Sequence, residues 1–158
     1  MSTQSEIKLT MNRHFKASPE SVFQTWLNSD LFKNWLFTLA ETNKVAVNEP
    51  IEGGTWEIVD HRDGVDYRAI GKYLEVSPPT RLVFTFKMPQ FSEAEDVISV
   101  EFESENEGCK MTFIQMITVP HEDDWNHEDI EKAVKEHYDG SEHGWNLMFK
   151  GLQQIVEK

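Results

Sequence analysis

Between residues 44 and 119 the chain offers six strand-like segments in succession and no helix among them. "KVAVNEP", "TWEIVDH", "DYRAIGKYLEV", "RLVFTFK", "DVISVEFE" and "CKMTFIQMITV" are rich in β-branched and aromatic residues. Turn residues separate them: Gly53-Gly54, Asp63-Gly64, Pro78-Pro79, Pro89 and Gly108. Connections this short leave antiparallel pairing as the outcome. Asp63-Gly64 predicts a hairpin turn, and Gly53-Gly54 predicts a tight entry into the strand that carries Trp56. Ahead of the run, "EIKLTMNRHF" (residues 6–15) also alternates, with Ile7, Leu9, Met11, Arg13 and Phe15 on one face. That makes seven strands.

Helical patterns stand only at the two ends of the strand run. In "ASPESVFQTWLN", Ser18 is an N-cap, Pro19 takes the first helical position, and Val22, Phe23, Trp26 and Leu27 repeat at helical spacing. The spacing predicts a helix over residues 19–27. Ser29 caps a second short helix, "DLFKNWL". At the far end, Trp145, Met148, Phe149, Leu152, Ile155 and Val156 mark one face of a long helix. Ile130, Val134 and Tyr138 extend that stripe backward, while Gly140 and Gly144 weaken its continuity. A seven-stranded sheet must cover its apolar face, and this helix is the element available to do so.

The 158 residues suit one domain spanning 1–158, and 39% hydrophobic content supplies a core. A formal net charge of −13 repels phosphate backbones and anionic membrane surfaces. Nucleic acid and stable membrane association are therefore not expected. No apolar run exceeds three residues, and "MSTQSEIKL" lacks the features of a signal peptide. The lone Cys109 permits no internal disulfide and fits a cytoplasmic location.

The pieces "ASPESVF..W" (Ala17 to Trp26), "LFKNW", "GGTWEI", "GKYLEVSPPTRLVFTF" (Gly71 to Phe86) and "GW...F..L" (Gly144 to Leu152) follow Arg13 in a consistent order. Together they are similar to the START-like (SRPBCC) superfamily. More narrowly, the chain resembles the homologues of the heat-shock-protein-90 ATPase activator. The resemblance implies an α+β helix-grip fold, in which a curved seven-stranded antiparallel sheet holds two short helices and a long C-terminal helix in its concave face. It implies an apolar cavity between sheet and helix, which related proteins use for lipids, aromatics, hormones or polyketide intermediates. The acidic, His-rich stretch 121–143 is least like the pattern and is expected to be a variable insertion or loop. The eukaryotic activator carries this domain behind a separate N-terminal one. Here the first strand begins at about residue 6, which is an expectation against chaperone activation.

The resemblance makes a small hydrophobic molecule the expected partner, and the aromatic faces supply candidate ligand-binding residues. Leu82, Phe84 and Phe86 share a face, as do Met111, Phe113 and Gln115; Trp145, Met148 and Phe149 face them from the helix. By residue type alone the same groups favour a solid core, and it is the resemblance that turns the reading toward a cavity. Arg13 and Gln115 are polar members of apolar faces. Arg13 needs a carboxylate such as Glu57 or Glu75, a carbonyl, or a ligand. Gln115 could orient a ligand or meet water. Tyr67 and Tyr73 share a strand face with Ala69 and Gly71 and could offer hydroxyls to a phenol or ketone. Trp56 enters its strand behind the glycine pair, and Trp35 could stand at the cavity mouth.

His121, His127, His137 and His143 lack the spacing of a metal motif and read as solvated charge, so no metal and no cofactor are expected. No nucleophile elbow, zinc-protease helix or phosphate loop occurs, and no catalytic residue is assigned. Two alternatives to a binding protein stay open. One is a cyclase- or hydratase-like enzyme with Tyr67, Arg13 or Gln115 polarising a carbonyl. The other is a co-chaperone or other interaction protein, with a protein partner or a homodimer, using its acidic surface.

Overall fold

The structure, a computed structural model, describes residues 4–157. Its elements are β1 (Gln4–Phe15), α1 (Pro19–Leu27), α2 (Ser29–Phe32), β2 (Asn43–Asn48), β3 (Thr55–Arg62), β4 (Val65–Ser77), β5 (Arg81–Phe86), β6 (Asp96–Glu105), β7 (Gly108–Pro120) and α3 (His127–Val156). The seven strands form one antiparallel sheet in the order β1-β7-β6-β5-β4-β3-β2. The sheet curves around α3, as the resemblance implies. After β1 the chain crosses through α1 and α2 to the opposite edge. It then returns strand by strand until β7 pairs with β1, from Gln4 opposite Pro120 to Phe15 opposite Cys109.

Local chemistry accounts for the boundaries. Ser18 Oγ accepts the Ser21 N–H at 3.1 Å, and Pro19 opens α1 as expected. Asn28, rather than Ser29, caps α2: its Oδ1 accepts the Asp30 N–H at 3.0 Å, and its carbonyl accepts from Leu31 and Phe32. The predicted second helix over 30–36 is corrected to a single turn followed by bends. Asp63 (φ 54°) and Gly64 (φ 78°) both lie in the left-handed region that a tight hairpin requires.

The expected loop at 121–143 is also corrected, because residues 127–143 are the first half of α3. A capping box starts the helix, with the Asp129 N–H on Asn126 Oδ1 (2.9 Å) and the Asn126 N–H on Asp129 Oδ2 (3.1 Å). Glu128 and Asp129 in the first turn oppose the helix dipole. Ala133, Val134 and Tyr138 pack against the core margin, so the backward stripe holds the helix through both glycines.

Two glycines answer to geometry. Gly53 (φ 86°) turns the chain into β3, and its N–H reaches the Tyr73 carbonyl at 2.8 Å. Gly71 lets the Trp56 indole cross β4 and donate Nε1–H to the Thr85 carbonyl at 3.2 Å. A Cβ at Gly71 would stand 1.8 Å from Thr85 O and 2.5 Å from Trp56 Nε1. A Cβ at Gly140 would meet nothing within 4 Å. Gly71→Ala is therefore expected to cost about 2–3 kcal/mol. Gly140→Ala should add about 0.5–1 kcal/mol by favouring the helix. Urea unfolding of the two variants checks both signs; equal midpoints would count against this packing.

Candidate functional site

The inward row of β7 is Cys109, Met111, Phe113, Gln115, Ile117 and Val119, all buried. The inward row of β6 is Asp96, Ile98, Val100 and Phe102, also buried. Against these rows α3 sets Trp145, Phe149 and Leu152, and α1 sets Phe23 and Trp26. The aromatic rings interlock: Phe113 to Trp145 at 4.5 Å, Phe113 to Phe149 at 5.3 Å, and Trp26 to Trp35 at 4.8 Å between centroids. Such contacts pack at crystal-like density. Among Trp26, Trp56, Tyr73 and Phe84 a space of only about 10 Å³ is left, the size of one water.

Larger grooves of about 500 and 510 Å³ lie between β1 and α3 and along β3 and β4. One open cleft, of about 340 Å³, lies toward the first half of α3 between that helix and the sheet. This is the size range of small-molecule sites. One wall is the α3 face carrying His137, Gly140, Ser141, Gly144, Trp145 and Met148. The other is the β5–β6 connection with Lys87, Met88 and Phe91, folded by bonds from Phe91 and Ser92 N–H to the Met88 carbonyl. Phe37, Phe86, Ile117, Gln115 and Asp96 contribute the floor and inner end. Neither helix glycine presents a side chain, and that keeps the cleft wide. Phe37 adopts a left-handed backbone (φ 59°), unusual for a bulky residue. Its ring stacks on Phe86 at 4.6 Å, and its N–H points at Met148 Sδ at 3.2 Å. A second cleft of about 370 Å³ also touches Phe37, Gly144 and Met148, together with Trp35.

Two inward strand rows each hold one polar member, and the two meet. Gln115 Nε2 donates to Asp96 Oδ2 at 2.7 Å, while Trp145 Nε1–H donates to Gln115 Oε1 at 3.0 Å. The Thr118 N–H donates to Asp96 Oδ1 at 2.9 Å. On the α3 side His137 has Nδ1 2.9 Å from the Ala133 carbonyl. A carbonyl only accepts, so Nδ1 carries a proton and donates it.

Of the residues expected to bind a ligand, Phe86, Gln115, Trp145 and Met148 line the cleft. Phe84, Met111, Phe113 and Phe149 are buried in the packed core beneath it. Trp56 and Tyr73 are buried as well, and the Tyr73 hydroxyl accepts from Asn48 Nδ2 at 3.1 Å. Burial pushes that phenol up to about 12. Trp35 does not stand at a mouth: it is buried, with Nε1–H on the Thr25 carbonyl at 3.1 Å. Arg13 meets neither Glu57 nor Glu75, which pair with Arg68 and Arg81. It donates to Asn146 Oδ1 and lies over the Phe149 ring, partly exposed and away from the cleft. Tyr67 lies outside the cleft wall, between Arg62 and the Phe91 ring. Asp96 and His137 were not anticipated. Asp96 shares strand parity with Ile98, Val100 and Phe102, and that was the available signal. Cys109 is buried and its thiol is pushed up to about 11 by burial, so it is a poor nucleophile.

The family model described as "Activator of Hsp90 ATPase homolog 1-like protein" matches residues 16–157. Protein SA2116 from Staphylococcus aureus, of unknown function, is 31% identical, with 97% of this chain and 94% of that chain covered and a TM-score of 0.90. Protein CV1439 from Chromobacterium violaceum is 19% identical over 96% of this chain and 97% of that one, with a TM-score of 0.72. Ara h 8.0201 is 13% identical over 96% and 98%, with a TM-score of 0.67. The last two likenesses concern the fold. No curated protein matches the chain.

Burial raises the Asp96 carboxyl above the usual range, with the Thr118 N–H, the Gln115 amide and the His137 charge pulling it back down. A carboxyl raised in the folded state binds its proton more tightly there than in the unfolded chain. Its contribution to stability therefore grows as pH falls through the folded value toward the unfolded value near pH 4, and is lost as pH rises. Relative to Asp96→Asn, the native protein should gain unfolding free energy between pH 7 and pH 4. Urea midpoints at several pH values measure this, and a constant or opposite difference would contradict it.

Proposed function

The chain belongs to the family of Activator of Hsp90 ATPase homolog 1-like proteins and has the START-like fold, and on that premise we propose that it binds a small apolar molecule in the cleft beside α3. The observation that carries this reading is the division of the interior. Trp145, Phe149 and Leu152 of α3 pack into the sheet, whereas the turns just before Trp145 stand off and leave about 340 Å³. Phe37, Phe86, Met88, Ile117, Trp145 and Met148 would cover the ligand's body. Burial supplies the affinity, at roughly 25 cal/mol for each Å² of apolar surface taken from water. The cleft surface is mostly apolar, with Lys87, Asp96, Gln115, Thr118 and His137 among its polar members, which suits an apolar body oriented by a few polar contacts. The use of this architecture for apolar ligands, implied by the family resemblance, supports the same reading.

Binding alone accounts for these features. The groups considered for carbonyl polarisation are dispersed, since Arg13 and Tyr67 lie outside the cleft that Gln115 lines. Among the described residues no helix is long and apolar enough to cross a membrane, and no group of three metal-ligating side chains occurs.

N-phenyl-1-naphthylamine, a neutral apolar fluorophore, should brighten on mixing with the protein. Gly140→Trp should reduce its affinity at least tenfold by filling the cleft from a position with open space around it, leaving the melting temperature near that of the native chain. Absence of any brightening, or undiminished binding by the folded variant, would remove the cleft as the site.

A further inference from the structure

We infer that the ligand of this cleft is a cationic amphiphile, a primary amine on an apolar body, whose ammonium group pairs with Asp96 while the body lies along Phe86, Trp145 and Met148. The inference rests on the cleft being the binding site and names the head group that site selects.

Two carboxylates are buried among the described residues, and they are treated differently. Asp60 has a cation: Arg62 Nε lies 2.5 Å from its Oδ2, and the Thr38 and Thr42 hydroxyls donate to its Oδ1. Asp96, 9% exposed, has no ion pair among the described residues. Its partners are two neutral donors, the Thr118 N–H and the Gln115 amide, one on each oxygen. A carboxylate has about four acceptor positions, so each oxygen keeps one for a further donor. Burying a carboxylate without a cation is costly, and Asp96 is placed where an entering group can reach it, since it lines the cleft.

The groups around Asp96 define what that entering group can be. From β7 come Gln115 and Thr118; from α3 come His137 and the Trp145 indole. From the β5–β6 connection comes Lys87, whose Nζ is held 3.3 Å from Glu93 Oε2. The Gln115 amide is occupied at both ends, by Asp96 and by Trp145. It orients the carboxylate and has little left to offer a ligand. His137 turns Nδ1–H to the Ala133 carbonyl, and in its neutral form the remaining Nε2 is an acceptor, so the cleft then offers a carboxylate and an imidazole acceptor to the same head group. An ammonium carries three N–H donors and a compensating charge; a carboxylate head would meet Asp96 as a like charge. The net charge of −13 raises the local concentration of cations and disfavours anions before contact.

Competition with bound N-phenyl-1-naphthylamine tests the head group with matched tails: decylammonium, decanol, decanoate and decyltrimethylammonium. The last has the charge without an N–H donor and reports attraction by the protein's overall field. Decylammonium is expected to displace the fluorophore at concentrations at least tenfold lower than each of the others. In Asp96→Asn its advantage over decanol should collapse to within about twofold. Decanol or decanoate competing as well as the amine would overturn the inference while leaving the apolar cleft intact. So would decyltrimethylammonium matching it, or an advantage that survives in a folded Asp96→Asn protein. If Asp96→Asn does not fold, the ranking of the four compounds on the native protein decides alone. A native protein that does not bind the fluorophore defeats the cleft reading and this inference together.

Discussion

The hydrogen bond from the Trp145 indole to Gln115 joins helix to sheet inside the core. Aromatic burial pulls α3 onto the concave face but is indifferent to where along its axis the helix stops. A buried amide in the middle of an apolar strand row is not indifferent, because leaving it unsatisfied costs about 1–3 kcal/mol. Trp145 supplies the donor and Asp96 the acceptor, so the amide fixes the axial position of the helix. C-terminal to that point Phe149 and Leu152 pack against the sheet. The turns just N-terminal to it, with glycine at 140 and 144, stand away from the sheet and open the cleft.

The strands were legible because alternation and turn chemistry act over a few residues. All seven fall within a residue or two of the expected limits, and the Asp63-Gly64 hairpin sits where its two left-handed residues put it. The first half of α3 was obscured by the nine acidic residues of 121–143, six of them in the helix, and by two glycines, which mask the stripe of Ile130, Val134 and Tyr138. The capping box at Asn126 and Asp129 was a signal that could have been read.

The candidate site was legible only in part, since parity tells which face a residue takes and not what stands opposite. It put Gln115, Phe86 and Trp145 together. It also put Arg13 inside, although near the end of β1 the inward face opens to Asn146 and the surface. Asp96 escaped notice as the first residue of its strand, where an aspartate reads as a turn former. Trp35 looked peripheral because the short helix before it was expected to continue. The chain bends there instead, and the indole passes under α3, with Gly151 close against its Cβ.

The order of strands also sets a timetable for the chain's assembly. Strands β2 to β7 pair with sequence neighbours, and each hairpin can form as soon as its second half exists. The first strand has no such neighbour. Its register partners lie about a hundred residues downstream, between Cys109 and Pro120. Closing so large a loop costs entropy that local pairs do not incur. The strand that leads the sheet in chain order is thus the last to find its place, and until β7 emerges its apolar row of Leu9, Met11 and Phe15 has no edge to join.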